Sequence, residues 1–405
     1  MSDQGTTLDR DSGGPLSGIV VADFSRVLAG PYCTMLLADL GATVIKVEGP
    51  TGDDTRQWKP PQRDGESTYY LGVNRGKHGL QLDMKNPDDL KTAYRLIDTA
   101  DVFIENYKPG GLEKFGLDEA SVAQRWPRLV HASITGFGTQ GGASLPGYDL
   151  LAQAVSGMMD LTGSADGPPQ RMGVALFDVV TGLHAAVGIL AALRERETSG
   201  QGQHLSLDLL SSALSGLANQ TSGYVGAGNV PHRMGNEHPS LFPYGPFDTN
   251  DGQLVICVGN DAQFRVLAGE LGRPELAEDP KFSTMPERNR HRSELRGIIE
   301  DVLRGRSSDA WFRQLREAGL PCSPILDVAG GVDFAHELGL EPVVYAGSDD
   351  DAVPGIKNPI GFSRTQVSYS KRPPGVDQDR EVILDWLSQR ADHGTGSPFE
   401  QTTAE

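Results

Sequence analysis

The chain has 405 residues, of which 38% are hydrophobic and 22% charged, and its formal net charge is −18. A single hydrophobic core rarely grows beyond about 250–300 residues, so this length predicts two domains. The acidic excess argues against nucleic acid as a partner, because phosphate binding needs a basic face.

The N-terminal half alternates short apolar runs with helical patterns. Its predicted strands are 18–24, 42–47, 101–105 and 129–134, and its predicted helices are 31–40 and 88–99. A strand, a helix and a strand at this spacing imply a parallel pair with a right-handed crossover. Repetition of the unit predicts a doubly wound α/β layer.

The pattern becomes mostly helical from residue 149 onward, where apolar residues recur at a spacing of about four. Predicted elements are a helix from 149, a long helix at 177–197, strands at 204–207 and 254–258, a helical stretch at 261–318 and mixed structure at 330–390. Residues 219–251 are rich in Gly, Pro and Asn, which predicts an irregular connection.

The three cysteines, Cys33, Cys257 and Cys322, lie far apart and form no CxxC pair. This spacing predicts neither a disulfide framework nor a zinc site and fits a reducing compartment. The start of the chain lacks the apolar core of a signal peptide. The most hydrophobic run, 185–193, is shorter than the roughly 20 residues of a membrane span. We therefore expect a cytoplasmic protein without membrane or metal.

The first strand and the turn after it resemble the start of a dinucleotide-binding site. Glu48 follows the second strand, where such a site has an acid that binds the ribose. The turn 25–30 has bulky residues where a GxGxxG motif needs glycine. No GxxxxGK[ST] loop is present either. The sequence thus predicts that the chain binds neither NAD nor FAD and has no P-loop nucleotide site.

Asp149 stands at the junction of a glycine-bearing loop and an apolar helix, in the segment 147–154. Asp is a preferred N-cap, which is the structural interpretation. The functional interpretation is a nucleophilic carboxylate, because the positive end of a helix dipole favours the ionised form and a carboxylate can attack a thioester. Local sequence leaves both interpretations open.

Six blocks of the chain together resemble one family. They are DFSRVLAGPYCTMLLADLGATVIKVE (23–48), NRGKHGLQLDMK (74–85), ENYKPGGLEKFGLD (105–118), SITGFG (133–138), GYDLLAQAVSGMM (147–159) and the run 196–208 with GQGQHLSLD. The chain resembles the class III CoA-transferases, which include formyl-CoA transferase and carnitine CoA-transferase, over residues 16–385.

The resemblance implies an α/β fold with a large Rossmann-like domain built from both chain ends and a smaller inserted α+β domain. The large domain would comprise 16–220 and 330–390, and the small domain with its linkers 221–329. Two chains would interlock as rings in a homodimer. The tails, 1–15 and 391–405, are predicted to be disordered.

The resemblance also implies a set of site residues. Asp149 matches the aspartate that carries the acyl group and then CoA. The positions that match the CoA-binding site are Arg26, Val27, Leu28, Ala29, Lys46, Asn74, Arg75, Asn106 and Lys114. The positions that match the substrate loop are Tyr148, Gly235, Asn236, Glu237 and His238. The family loop has consecutive glycines, whereas this one has Gly235 alone, so equal mobility is not implied.

The implied activity is CoA transfer from an acyl-CoA donor to a carboxylate acceptor, through an aspartyl anhydride and an aspartyl-CoA thioester, without metal or redox cofactor. The alternative is 2-methylacyl-CoA racemisation. The racemase branch has a His immediately before the matching Asp, where this chain has Tyr148, and a second acid downstream, where it has Asp178. Transferases also carry an acid there, so Asp178 does not discriminate. A tyrosine with a pKa near ~10 is a poor base at neutral pH, which favours the transferase.

Overall fold

The computed structural model describes residues 8, 13–348 and 350–393. The strands are β1 (Val20–Phe24), β2 (Thr43–Glu48), β3 (Gln62–Arg63), β4 (Glu66–Ser67), β5 (Lys77–Gln81), β6 (Val102–Glu105), β7 (Val130–Thr135), β8 (His204–Asp208), β9 (Tyr244–Asp248), β10 (Gln253–Cys257), β11 (Cys322–Pro324), β12 (Val343–Ala346) and β13 (Val353–Ile356). The helices are α1 (Ala29–Asp39), α2 (Thr68–Leu71), α3 (Pro87–Thr99), α4 (Glu119–Arg125), α5 (Asp149–Val155), α6 (Met158–Leu161), α7 (Leu176–Ser199), α8 (Leu209–Gly216), α9 (Asn219–Ala227), α10 (Asp261–Glu270), α11 (Met285–Arg290), α12 (Arg292–Leu303), α13 (Ser308–Glu317), α14 (Val328–Glu337) and α15 (Arg380–His393).

A six-stranded sheet organises the first part of the chain, in the order β5-β2-β1-β6-β7-β8. All of its neighbouring strands pair in parallel, which confirms the predicted parallel α/β layer. Successive strands run outward on one side of β1 and then outward on the other side from β6. The order therefore reverses between β1 and β6, and ligands of open α/β sheets bind outside the carboxyl ends of the strands at such a point.

Both faces of this sheet are covered, because side chains of successive strand residues point to opposite faces. Val20 and Phe24 of β1 join one apolar cluster, which includes Trp386 of α15. Val21 joins the other, which includes Leu37 of α1 and residues of α7. The near-continuous apolar strand predicted at 18–24 follows from this double burial.

The chain divides into two compact units. The first comprises residues 1–156, 172–228 and 342–405, and the second comprises 157–171 and 229–341. The second unit contains the antiparallel sheet β11-β10-β9 and an apolar core of its own.

The second unit differs from the predicted small domain, 221–329, at both ends and by its additional segment. Residues 157–171 belong to it because Gly235 N–H donates to the Gly163 carbonyl (3.0 Å) and Arg233 pairs with Asp160 (2.6 Å). The predicted tails, 1–15 and 391–405, lie for the most part outside the described residues.

The helix α7 is the one helix of the described residues that is long and apolar enough to cross a membrane by length and composition alone. Its buried residues, among them Ala185 and Ile189, belong to the core of the first unit. It ends at Gly200, whose φ of 75° gives the left-handed C-cap that glycine adopts without strain.

Candidate active site

The loop that follows β1 lies at the point where the strand order reverses. Its residue Arg26 is bound through its backbone to Asn106, which follows β6: the Arg26 N–H donates to Asn106 Oδ1 (3.0 Å), and Asn106 Nδ2 donates to the Arg26 carbonyl (2.8 Å). The guanidinium of Arg26 extends to the surface, where it contacts Asp54 at 3.3 Å. The structure therefore brings the predicted residues Arg26–Ala29 and Asn106 together.

Lys46 lies beneath this loop rather than on its surface. Its ammonium donates to Asp53 Oδ2 (2.8 Å) and to the Ser25 carbonyl (3.1 Å), and both charged side chains are fully buried. Burial lowers the pKa of Lys46, but the negative charges of Asp53 and Asp23 more than offset this and hold it above its ordinary value. Lys46 is thus charged and occupied within the fold.

Asn74 and Arg75 are also buried and occupied. Asn74 Nδ2 donates to the Tyr70 carbonyl (2.9 Å), and its Oδ1 accepts from Lys77 (2.9 Å). Arg75 forms a two-pronged ion pair with Asp39, at 2.8 and 2.7 Å. These partners give both residues a structural role, and direct contact with CoA stays a prediction.

Lys114 differs from these buried residues, because its side chain is exposed. Its ammonium lies 4.9 Å from the centroid of the Phe115 ring.

Asp149 is the first residue of α5, and Tyr148 occupies its N-cap position. The carboxylate caps a different helix. Asp149 Oδ1 accepts the backbone N–H groups of Phe177 (2.7 Å) and Asp178 (3.3 Å) in the first turn of α7, and Oδ2 accepts from Gln153 Nε2 (2.6 Å). The side chain therefore satisfies N–H groups that a helix leaves without partners. The capping interpretation holds for α7, not for Asp149's own helix.

Asp178, by contrast, is partly exposed, and no residue that the structure describes donates a hydrogen bond to its carboxylate. Burial, followed by the negative charge of Asp149, raises the pKa of Asp178 to about 7. A carboxylate without donors and with a raised pKa holds its lone pairs available and is a stronger nucleophile than an ordinary one.

The face of α7 that carries Asp178 also carries Gly182, one helical turn later. Gly182 lies so close to the end of the β1 loop that a Cβ atom there would be 2.6 Å from the Ala29 carbonyl oxygen. Asp178 is thus on the side of α7 that faces the loop Arg26–Ala29.

Tyr69 is a third member of this group. The pKa of its phenol is raised to about 12 by burial and then by the negative charges of Asp178 and Asp149, so the phenol stays protonated at neutral pH. A cavity of about 510 Å³ opens beside it, with Trp58, Lys59 and Thr68 in its wall. Sequence reasoning missed Tyr69, Gln153 and Asp53, for which it had no signal. Asp178 entered the sequence analysis only as the downstream acid that transferases and racemases share.

The predicted substrate loop, 234–239, lies in the second unit. Glu237 pairs with Arg292 (2.9 Å) and Arg296 (2.6 Å), and His238 Nδ1 accepts the N–H groups of Ser240 and Leu241 at 3.0 and 3.1 Å. Gly235 has a φ of 62°. The ion pairs of Glu237 anchor this loop to α12. Asn236 directs its carbonyl toward Gly245, where a Cβ would lie 2.9 Å from it, and Tyr148 is exposed.

Among residues 8, 13–348 and 350–393, no group of three or more His, Cys, Asp or Glu side chains is arranged to hold a metal ion.

Comparison with known proteins gives consistent matches along the chain. A family model described as CoA-transferase family III matches residues 16–380. The chain is 40% identical to succinate–glutarate CoA-transferase of Agrobacterium fabrum, covering 91% of this chain and 95% of that protein. It is 37% identical to acetyl-CoA:oxalate CoA-transferase of Acetobacter aceti, covering 86% and 90%. A solved CAIB/BAIF family protein from Brucella suis superimposes with a TM-score of 0.84 at 38% identity, covering 92% of this chain and 99% of that one.

Proposed function

The chain belongs to CoA-transferase family III and is a CoA-transferase that uses CoA thioesters, and from this premise we propose that it moves CoA between dicarboxylic acids such as succinate and glutarate through a covalent aspartyl intermediate. Similar proteins are named for transfer to glutarate, oxalate and mesaconate. The observation that carries the proposal is the pair of carboxylates, Asp149 and Asp178, at the start of α7.

Two aspartates are candidates for the nucleophile. Sequence reasoning assigns it to Asp149, but three donors occupy that carboxylate. These hydrogen bonds occupy the lone pairs of Asp149 and so lower its nucleophilicity. Attack by Asp149 would also weaken them and leave the start of α7 without its cap. None of the described residues donates to the carboxylate of Asp178, which lies on the side of α7 that faces the β1 loop. We therefore assign the attack to Asp178 and a holding role to Asp149, and the assignment to Asp149 stays the alternative that the experiment below tests.

The reaction then proceeds in balanced steps. A carboxylate oxygen of Asp178 attacks the thioester carbonyl of the donor, the C–S bond breaks, and CoA leaves as thiolate. The thiolate attacks the aspartyl carbonyl of the resulting anhydride and releases the donor acid as a carboxylate. The acceptor carboxylate attacks the aspartyl-CoA thioester and again expels the thiolate, which finally attacks the acceptor's acyl carbonyl and restores Asp178. No proton is gained or lost overall.

Each attack develops an oxyanion that needs a hydrogen-bond donor. The backbone N–H groups of Phe177 and Asp178 already donate to Asp149. The phenol of Tyr69, whose pKa the negative charges of Asp178 and Asp149 help to raise, remains protonated and would supply a donor. The open depression beside Tyr69 has room for a dicarboxylic acid. Lys59 in its wall, whose ammonium donates to the Gly65 carbonyl, would attract the distal carboxylate by its charge.

The CoA portion would lie along the loop Arg26–Ala29 and Asn106, at the reversal of strand order where such folds bind nucleotides. Lys114, like Arg26, is an exposed cation among the predicted contacts and is suited to a phosphate. Lys46, Asn74 and Arg75 would act from beneath, since their charged or polar groups are occupied.

We also propose a cytoplasmic homodimer. The helix α7 exposes Leu183, Val187 and Leu190, which lie on one helical face, and α5 exposes Val155. Apolar side chains grouped in this way mark protein–protein contact surfaces.

The test is incubation of purified protein with succinyl-CoA and a panel of glutarate, mesaconate, oxalate and acetate, with acyl-CoA products separated by chromatography. We expect dicarboxylates to accept CoA and acetate to accept it poorly. Exchange of the α-proton of 2-methylacyl-CoA in deuterated water, without CoA transfer, would favour the racemase instead.

The nucleophile is identified by borohydride trapping during turnover. Asp149 and Asp178 fall in different tryptic peptides, 129–171 and 172–194, so mass spectrometry of the reduced aspartyl product separates them. We expect the modification in 172–194 and its loss in Asp178→Asn, with the exposed Asp166→Asn as a matched control. Modification of 129–171 would return the role to Asp149.

A further inference from the structure

The loop between β1 and α1 contains a strained residue. Val27 has a φ of 71°, in the left-handed region that a β-branched residue avoids. Such a conformation persists only where surrounding groups enforce it, and it is common at functional sites. The contacts of the neighbouring backbone show which groups do so here.

Three side chains bind the loop backbone at consecutive residues. Asp53 accepts the N–H of Val27 on both carboxylate oxygens, at 3.3 Å each. The Ser25 carbonyl accepts from Lys46 at 3.1 Å. Asn106 binds both the N–H and the carbonyl of Arg26, at 3.0 and 2.8 Å. We call Lys46, Asp53 and Asn106 the loop clamp.

The Lys46–Asp53 pair is the most rigid part of the loop clamp. The Lys46–Asp53 pair joins two of its members at 2.8 Å, and neither side chain is exposed to solvent. Asp53 is itself fixed by the N–H and hydroxyl of Thr55, at 3.0 and 2.8 Å. An ion pair removed from water in this way cannot rearrange cheaply, because each charge would lose its partner in a low-dielectric environment.

We infer that Lys46, Asp53 and Asn106 are positioning residues that hold Val27 in its strained conformation and so set the loop Arg26–Ala29 against the face of α7 that carries Asp178. The inference rests on the proposed function and deepens it. It gives Lys46 and Asn106 a role distinct from the direct CoA contacts that the sequence predicts, and it adds Asp53, which the sequence did not indicate.

The loop can be misplaced without any loss of ligand contacts, which is what distinguishes positioning from binding. When the clamp is weakened, Val27 relaxes toward negative φ and carries the loop with it. Glycine adopts φ near 71° without steric cost. Val27→Gly therefore removes the driving force for this movement and should compensate for a weakened clamp, whereas it would not replace a lost contact with CoA.

The test uses the full chain and single-turnover formation of the covalent intermediate from succinyl-CoA. Asp53→Asn is expected to lower the rate constant of acylation by succinyl-CoA by about tenfold or more, in keeping with the effect of small misplacements. The double variant with Val27→Gly should recover a large part of this loss. Asp64→Asn is the matched control, because Asp64 is exposed and pairs with its neighbour Arg63, and its rate should not change.

Asn106→Ala, alone and with Val27→Gly, repeats the test at a position where no buried charge is left behind, in case Asp53→Asn does not fold. Hydrogen exchange of the amides of residues 25–29 provides a readout independent of activity and should be faster in both clamp variants. Absence of rescue by Val27→Gly in the folded variants, or unchanged exchange of these amides, would overturn the inference. If the wild type transfers no CoA, the proposed function fails while hydrogen exchange still decides the clamp.

Discussion

The carboxyl group of Asp178 should make the protein less stable as the pH rises, and Asp178→Asn should remove this effect. Burial and the charge of Asp149 raise the pKa of Asp178 from 3.8 to about 7 in the folded chain. Between these two values the folded state keeps a proton that the unfolded state has released, so the free energy of unfolding falls as the pH rises. At about 1.4 kcal/mol per pH unit, the full interval corresponds to about 4 kcal/mol.

Urea unfolding of the wild type and of Asp178→Asn at several pH values measures this difference. We expect the stability advantage of the variant to grow by about 2–3 kcal/mol between about pH 5 and pH 8, because most of the interval lies there. Asp166→Asn should show no such growth. An advantage that stays constant with pH, or a variant less stable than the wild type at pH 8, would refute the raised pKa and the reasoning built on it.

Three further predictions follow from the same contacts. Asp149→Asn should cost about 1–2 kcal/mol of stability in urea unfolding, since the cap of α7 is weakened. It should also move the midpoint of the pH–rate profile of acylation to lower pH, because the charge of Asp149 is one cause of the raised pKa of Asp178. An unmoved midpoint would contradict this. Gly182→Ala should destabilise the protein by about 1–3 kcal/mol and slow acylation, since its Cβ would lie 2.6 Å from the Ala29 carbonyl oxygen. In the control Gly188→Ala, the Cβ lies at an ordinary 3.4 Å from Leu205. Equal thermal stabilities of the two variants would show that the Ala29 backbone moves aside without cost. Val187→Asp should shift the molar mass measured by light scattering from dimer to monomer, while Asp64→Asn leaves it unchanged; a dimer in the first variant would place the interface elsewhere.

Local patterns were sufficient for much of the architecture. The parallel layer was predictable because β1 is buried on both faces and is therefore continuously apolar. The strand β5 was not, since Lys77 and Gly79 interrupt its apolar pattern; Lys77 is tolerated there because its buried ammonium binds Asp23 (3.1 Å). Residues 157–171 lie in the predicted large domain but in the second compact unit of the structure, because their partners lie near residue 235.

The sequence by itself determined that this is an α/β CoA-transferase, since periodicity and the matched blocks are properties of the chain order. Only the tertiary structure decided which groups each carboxylate contacts. Asp149 looked like the cap of its own helix, but the N–H groups that it caps lie 28 and 29 residues away in α7, a distance across which local sequence carries no signal. Lys46 matches a CoA-binding position by sequence, but its ammonium is fully buried and paired with Asp53. Burial and charge pairing depend on which segments meet in space, and folding alone establishes that.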